Sequence, residues 1–137
     1  MVSSTKAFLA SSAKTVISYD VETTTEIRNY IQRCTDLGVQ WKYIEESTLT
    51  CDIDETDLLF IDTLHTYGQL KAELEIHSDK ARKYMIFHDT VAYGRTGMDN
   101  DTKGLMDALD EFLEGNTEWV LHEHYPNNNG LTVLKRA

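Results

Sequence analysis

At 137 residues the chain is long enough to bury one real core and too short for two ordinary domains. Its 41% hydrophobic and 26% charged residues are ordinary for a globular protein. Thirteen basic against 23 acidic residues leave a net charge of −10, which argues against nucleic acid as a partner, since that footprint needs clustered Lys and Arg.

In chain order, Ser3 to Ser12 reads as a short helix capped by Ser3 or Ser4. Thr15 to Tyr19 reads as a strand that stops at Asp20. Thr23 and Glu26 have capping-box spacing, and Ile27, Tyr30, Ile31 and Cys34 form the stripe of a helix that Gly38 ends. Trp41 to Glu45 is a strand running into Glu46 and Ser47. Asp57 to Ile61 contains an unbroken apolar run, which predicts a strand buried on both faces and halted by Asp62. A helix from about Thr66 to Lys80 carries Leu70 and Leu74, with the basic run Lys80 to Lys83 as its solvated end. Tyr84 to Phe87 is a second such run, closing on His88, Asp89 and Thr90. The loop Tyr93 to Gly97 is suited to carry Arg95 towards a substrate. Asp99 to Asp101 can cap a helix bearing Leu105, Met106, Leu109, Phe112 and Leu113, which Gly115 ends. Glu118 to Tyr125 and Leu131 to Arg136 flank Pro126-Asn-Asn-Asn-Gly130, the pattern of an antiparallel hairpin.

With no repeat and no linker, residues 1–137 read as a single domain. Alternating strands and helices predict a doubly wound α/β fold, a Rossmann-like three-layer αβα sandwich, with a mostly parallel sheet and a C-terminal antiparallel hairpin. Trp41 and Trp119 are expected in the core, and His77, His122 and His124 at the surface. Cys34 and Cys51 match no metal spacing, and so few cysteines read as intracellular, hence cytoplasmic. Neither a secretory leader nor a stretch of membrane-spanning length is present, so no membrane partner is expected.

Acids follow each of the parallel strands: Asp20, Glu46, Asp62 and Asp89. Open α/β sheets bind ligands at the carboxyl edges of their strands, so these acids are expected to share one rim. Carboxylates there can accept from ribose hydroxyls, pair with an ammonium group or hold a hard divalent cation. Asp62 and Asp89, with His65 and His88 beside them, suit a mixed oxygen and nitrogen metal site or a general base near a substrate hydroxyl. Tyr67 either walls such a pocket or packs.

These residues resemble the class I S-adenosylmethionine-dependent methyltransferases, and among them the small-molecule and glycan branch that includes cephalosporin-hydroxylase-like proteins. The carriers are Phe60-Ile61-Asp62 with His65 and Tyr67, then Phe87-His88-Asp89-Thr90, Lys103-Gly104-Leu105, Glu118-Trp119, and Asn127 to Leu134. The resemblance spans the chain from about Ser4 onward. It implies a small-molecule or sugar hydroxyl as acceptor and S-adenosylmethionine as cofactor, with Asp20 at its ribose, Glu46 and Ser47 beside its adenine, and Asp62 near its methionine part. It implies Mg2+ or another divalent cation on Asp62 and Asp89, and the residues around them make Asp62, His65, His88 and Asp89 the candidate catalytic set.

The family's first strand and glycine-rich cofactor turn would stand before Ser4, and the chain has no Gly-x-Gly. The expectation is therefore an N-terminally truncated domain lacking that strand, with an exposed sheet edge through which it forms a homo-oligomer. Two rival readings remain beside the enzyme: a non-catalytic module acting through assembly, and a metal-dependent hydrolase using Asp62, His65, His88 and Asp89.

Overall fold

The structure, a computed structural model, describes residues 2–137. The chain divides into two compact units, one ending at Cys51 and one beginning at Asp52. Among the described residues no helix is long and apolar enough to cross a membrane.

The first unit comprises α1 (Val2–Leu9), β1 (Val16–Asp20), α2 (Thr25–Asp36) and β2 (Trp41–Glu45). The strands pair in parallel, with Val16 opposite Trp41 and Asp20 opposite Glu45. The expected stripe of α2 faces inward, Ile27 and Cys34 being buried. Tyr30 meets the Trp41 ring at 5.6 Å, and the Trp41 indole N–H donates to Ser18 Oγ at 3.0 Å. Trp41 is half-buried rather than core. The helix cap is Thr24, whose Oγ1 accepts the Ile27 N–H at 3.3 Å, and not Thr23. Thr23 lies one residue too early and donates its N–H to Glu45 Oε2 instead. Gly38 leaves the helix at φ +69°, the left-handed exit that glycine adopts without a Cβ penalty.

The second unit comprises β3 (Thr56–Ile61), α3 (Tyr67–His77) with a 3-10 turn over Ser78–Lys80, β4 (Ala81–His88), α4 (Leu105–Gly115), β5 (Trp119–Tyr125) and β6 (Leu131–Arg136). The four strands run in the order β3-β4-β6-β5, parallel between β3 and β4 and antiparallel elsewhere. The expected hairpin is therefore present, β5 against β6. Met85 and Phe87 of β4, Ile61 of β3 and Leu134 of β6 pack with Leu70 and Leu74 of α3 and with Leu105, Ala108 and Leu109 of α4. Trp119 joins this core at 3% exposure.

Four local expectations change. In β3 only Ile61 is buried, and Leu58, Leu59 and Phe60 are half-buried, because β3 is the edge strand of its sheet. Only Lys80 of the basic run closes a helical turn. Ala81 to Lys83 open β4, and Lys80, Arg82 and Lys83 pair with Asp52, Glu55 and Asp57. The cap of α4 is Gly104, whose N–H donates to Asp107 Oδ2 at 2.8 Å, whereas Asp99 and Asp101 accept N–H groups within their own loop. His77 is buried at 4% exposure, since with Leu70, Glu73 and Leu74 it completes the inward stripe of α3.

Candidate functional site

Within the first unit, Asp20 ends β1, and its carbonyl accepts the Glu46 N–H at 2.9 Å just past the end of β2. Asp20 and Glu46 are thus neighbours. The Asp20 carboxylate is half-buried and accepts the Val21 N–H at 2.8 Å. It borders a small pocket with Thr5, Ser18, Trp41 and Tyr43. Burial raises the Tyr43 phenol above its ordinary range. Ser47 turns the chain: its Oγ accepts the Leu49 N–H and its carbonyl accepts the N–H groups of Thr50 and Cys51.

Within the second unit, β3 and β4 run parallel, so Asp62 and His88-Asp89 emerge at the same end of the sheet. The loop after β3 brings His65 back over them. Its Nε2 lies between two carboxylates, 3.2 Å from Asp62 Oδ1 and 2.9 Å from Asp89 Oδ2. His88 Nδ1 lies 3.2 Å from Asp89 Oδ1 and 3.8 Å from Asp62 Oδ2. The shorter approach is too poorly aligned to be a hydrogen bond, and both its atoms are buried without one, as is His65 Nδ1. Ligand atoms of Asp62, His88 and Asp89 all fall within 4.8 Å of one another. The four residues predicted to act together therefore do meet. Polar atoms buried without a hydrogen bond are costly, and two oxygen donors and a nitrogen at this spacing suit a divalent cation.

Three loops hold the cluster. The Asp89 backbone is left-handed, with φ 59°, and the Asn129 carbonyl pins the adjoining loop by accepting the Val91 and Ala92 N–H groups at 2.9 Å each. Tyr93 stacks on His65, with ring centroids 4.9 Å apart and planes 8° from parallel. The Met98 N–H donates to the His65 carbonyl at 2.8 Å. From α3, Glu73, 1% exposed, accepts Thr63 Oγ1–H at 2.9 Å and the Gln69 side-chain amide at 2.9 Å. Beneath the cluster lies a small pocket walled by Ile61, Leu70, Phe87 and Leu105 as well as Asp62, Glu73 and His88.

Sequence reasoning missed Glu73 and Tyr93. Glu73 was legible as an acid on an inward helical position, i+3 from Leu70, whereas no spacing signals the Tyr93 stack. Arg95 does not reach the cluster, because Asp107 and Asp110 of α4 hold it at 2.7 and 2.8 Å. Tyr67 packs instead of facing the pocket. Its hydroxyl donates to Glu111 Oε2 at 2.6 Å, and Lys71 and Lys103 lie over its ring. Lys103, followed by Tyr67, lowers Glu111 to about 2. His122 and His124 are exposed as expected, though His124 Nδ1 lies 2.8 Å from Thr132 Oγ1.

No family model matches the chain, and no curated protein does either. Solved structures do. Protein SMU.1697c of Streptococcus mutans, in complex with S-adenosylhomocysteine, superposes with a TM-score of 0.65 at 14% identity, over 97% of this chain and 82% of that one. The magnesium protoporphyrin IX methyltransferase ChlM of Synechocystis, also with bound S-adenosylhomocysteine, gives 0.63 at 12% identity over 90% of this chain. This chain spans 64% of the ChlM length. The N-methyltransferase NodS of Bradyrhizobium japonicum gives 0.58 at 9% identity, over 97% of this chain and 84% of that one. At such identities the likeness establishes the fold alone, and that fold is the Rossmann-like α/β fold of these methyltransferases.

Proposed function

We propose that this chain binds S-adenosylmethionine and directs methyl transfer to a hydroxyl of a small molecule or sugar. The observation that carries the reading is the cluster of Asp62, His65, His88 and Asp89 at the carboxyl ends of β3 and β4, in a fold shared with solved structures that hold S-adenosylhomocysteine. Asp20 would accept hydrogen bonds from the ribose hydroxyls, the use its half-buried carboxylate and the aromatic groups around it suit. Glu46 and Ser47 would border the adenine. The bound cofactor supplies an electrophilic methyl group on a sulfonium, so the protein's share is to orient two reactants and remove a proton. Asp62, His88 and Asp89 would hold a Mg2+-type cation that fixes the acceptor oxygen. His65, braced by Tyr93, would stand beside it to take the hydroxyl proton.

Isothermal titration separates these parts. S-adenosylhomocysteine is expected to bind the parent and the Asp89→Asn variant and to fail on Asp20→Ala. Mn2+ is expected to bind the parent and fail on Asp89→Asn. Absence of heat with both S-adenosylmethionine and S-adenosylhomocysteine on the parent removes the cofactor assignment.

A second reading, assembly into a homo-oligomer, is favoured by one observation. Among the described residues β3 pairs only with β4, so its outer edge, where Leu58 and Leu59 are half-buried, can take another strand. Light scattering that shows a monomer at every concentration tested removes it.

A further inference from the structure

The two carboxylates of the cluster each turn one oxygen to His65 and the other to His88. His65 Nε2 stands against the outer pair, Asp62 Oδ1 at 3.2 Å and Asp89 Oδ2 at 2.9 Å. His88 Nδ1 faces the inner pair, Asp89 Oδ1 at 3.2 Å and Asp62 Oδ2 at 3.8 Å. The Asp89 carboxylate is only 9% exposed, and its Oδ1 and His88 Nδ1 are both buried without a hydrogen bond. No hydrogen bond holds a proton on Nδ1, so its lone pair faces a carboxylate oxygen, and a cation between the two relieves that repulsion. We propose that this cation is a transition-metal ion of the Fe2+, Co2+ or Zn2+ class, held through the His88 ring nitrogen, and not Mg2+. This rests on the divalent cation of the methyl-transfer reading and deepens it by naming the ion's class.

The nitrogen decides the class. Mg2+ is a hard ion that prefers oxygen donors in near-octahedral order and gives up its water reluctantly, so an imidazole serves it poorly. Transition-metal dications accept imidazole and carboxylate together, and three protein donors leave positions open for a substrate oxygen. Two carboxylates and a neutral ring also balance the charge of a dication. His65, stacked on Tyr93 at 4.9 Å, occupies the outer oxygens, the kind of bracing that fixes ligating carboxylates in place.

The test titrates the full chain with Zn2+, Co2+ and Mg2+, in competition with a chelating dye and again by nuclear magnetic resonance. Zn2+ and Co2+ are expected to bind at least about a hundredfold more tightly than Mg2+. Co2+ should displace the His88 ring signals of the parent by its paramagnetism, a readout that needs no substitution. His88→Asn, which offers an amide oxygen near the place of Nδ1, should weaken Zn2+ about tenfold or more and leave Mg2+ within about threefold. The double variant His122→Asn, His124→Asn removes the exposed imidazoles of β5 and should bind Zn2+ as the parent does. Mg2+ binding within about tenfold of Zn2+ overturns the proposal, as do Zn2+ affinity indifferent to His88→Asn, Zn2+ lost with His122 and His124, and no binding of any of the three ions. S-adenosylhomocysteine, titrated alongside, tells the two layers apart. Should it bind while Mg2+ matches Zn2+, the methyl-transfer reading stands and the ion's class falls; should it fail while Zn2+ binds at His88, the metal centre stands without methyl transfer.

Discussion

Gly130→Ala tests whether the hairpin turn holds the loop after Asp89 in place. Gly130 closes the turn at φ +99°, where an L-residue is strained, and an added Cβ would lie 2.7 Å from Val91 Cγ2 and 2.9 Å from Val91 Cβ, with the Val91 nitrogen closer still. Relief requires moving Val91, which breaks or bends the two hydrogen bonds that Asn129 accepts from Val91 and Ala92. The backbone conformation costs about 1–2 kcal/mol for alanine, and each weakened hydrogen bond about 0.5–1.5 kcal/mol. Together these give a loss of about 3 kcal/mol, or a fall in Tm of roughly 10 °C for a chain of this size. Urea denaturation of Gly130→Ala beside Gly115→Ala measures it. Gly115 ends α4 with nothing within 4 Å of its added Cβ, so that variant should be neutral or stabilised by up to about 1 kcal/mol. Because Asp89 lies two residues before Val91, Gly130→Ala should also shift the His88 and His65 ring signals, whereas Gly115→Ala should not. A loss below about 1 kcal/mol with unmoved histidine signals would refute the idea that this turn braces the loop.

Other side chains around the cluster give further expectations. Glu73→Leu takes away the acceptor that the half-buried Thr63 hydroxyl and Gln69 amide share and should cost about 1–3 kcal/mol, while Glu73→Gln, which can still accept from Thr63, should retain most of the parent's stability and Mn2+ affinity. Equal losses in both variants would show that the charge, not the acceptor, matters. Glu111 should titrate with a midpoint of about 2, read from its carboxyl carbon shift, and move back towards 4.5 in Lys103→Met. Its folded value is depressed, so its stabilising contribution is fully present above pH 4.5 and fades as pH falls towards 2. Arg95→Ala, which loses an exposed pairing on α4, should change stability by less than about 1 kcal/mol and leave Mn2+ and S-adenosylhomocysteine binding intact; a collapse of either would return Arg95 to the site.

The parts of this protein legible in its sequence are those that backbone periodicity determines. The stripe Ile27, Tyr30, Ile31 and Cys34 marks α2, and the turn Pro126 to Gly130 marks the hairpin. Two apolar runs ending on Asp62 and on His88-Asp89 required parallel strands, and parallel strands bring their carboxyl ends together, so the meeting of those residues was implied by the sequence alone. The features that stayed hidden depend on which of several equivalent groups wins a contact. Thr23 and Thr24 offer the same hydroxyl at adjacent positions, and only the entry angle of the chain selects Thr24. Asp99, Asp101 and Asp107 all offer a carboxylate near the start of α4, and Asp107 takes the cap because Gly104 lets the backbone run against Tyr93 and Gly94, where a Cβ would lie 2.6 Å from the Gly94 carbonyl carbon. That close approach fixes Tyr93, and Tyr93 sets the plane of the His65 ring through the stack between them. The orientation of His65 thus depends on a glycine that the sequence marked only as part of the family resemblance. Gly104→Ala should therefore disturb the His65 ring signal from outside the cluster, with Asp62, His88 and Asp89 all chemically unchanged.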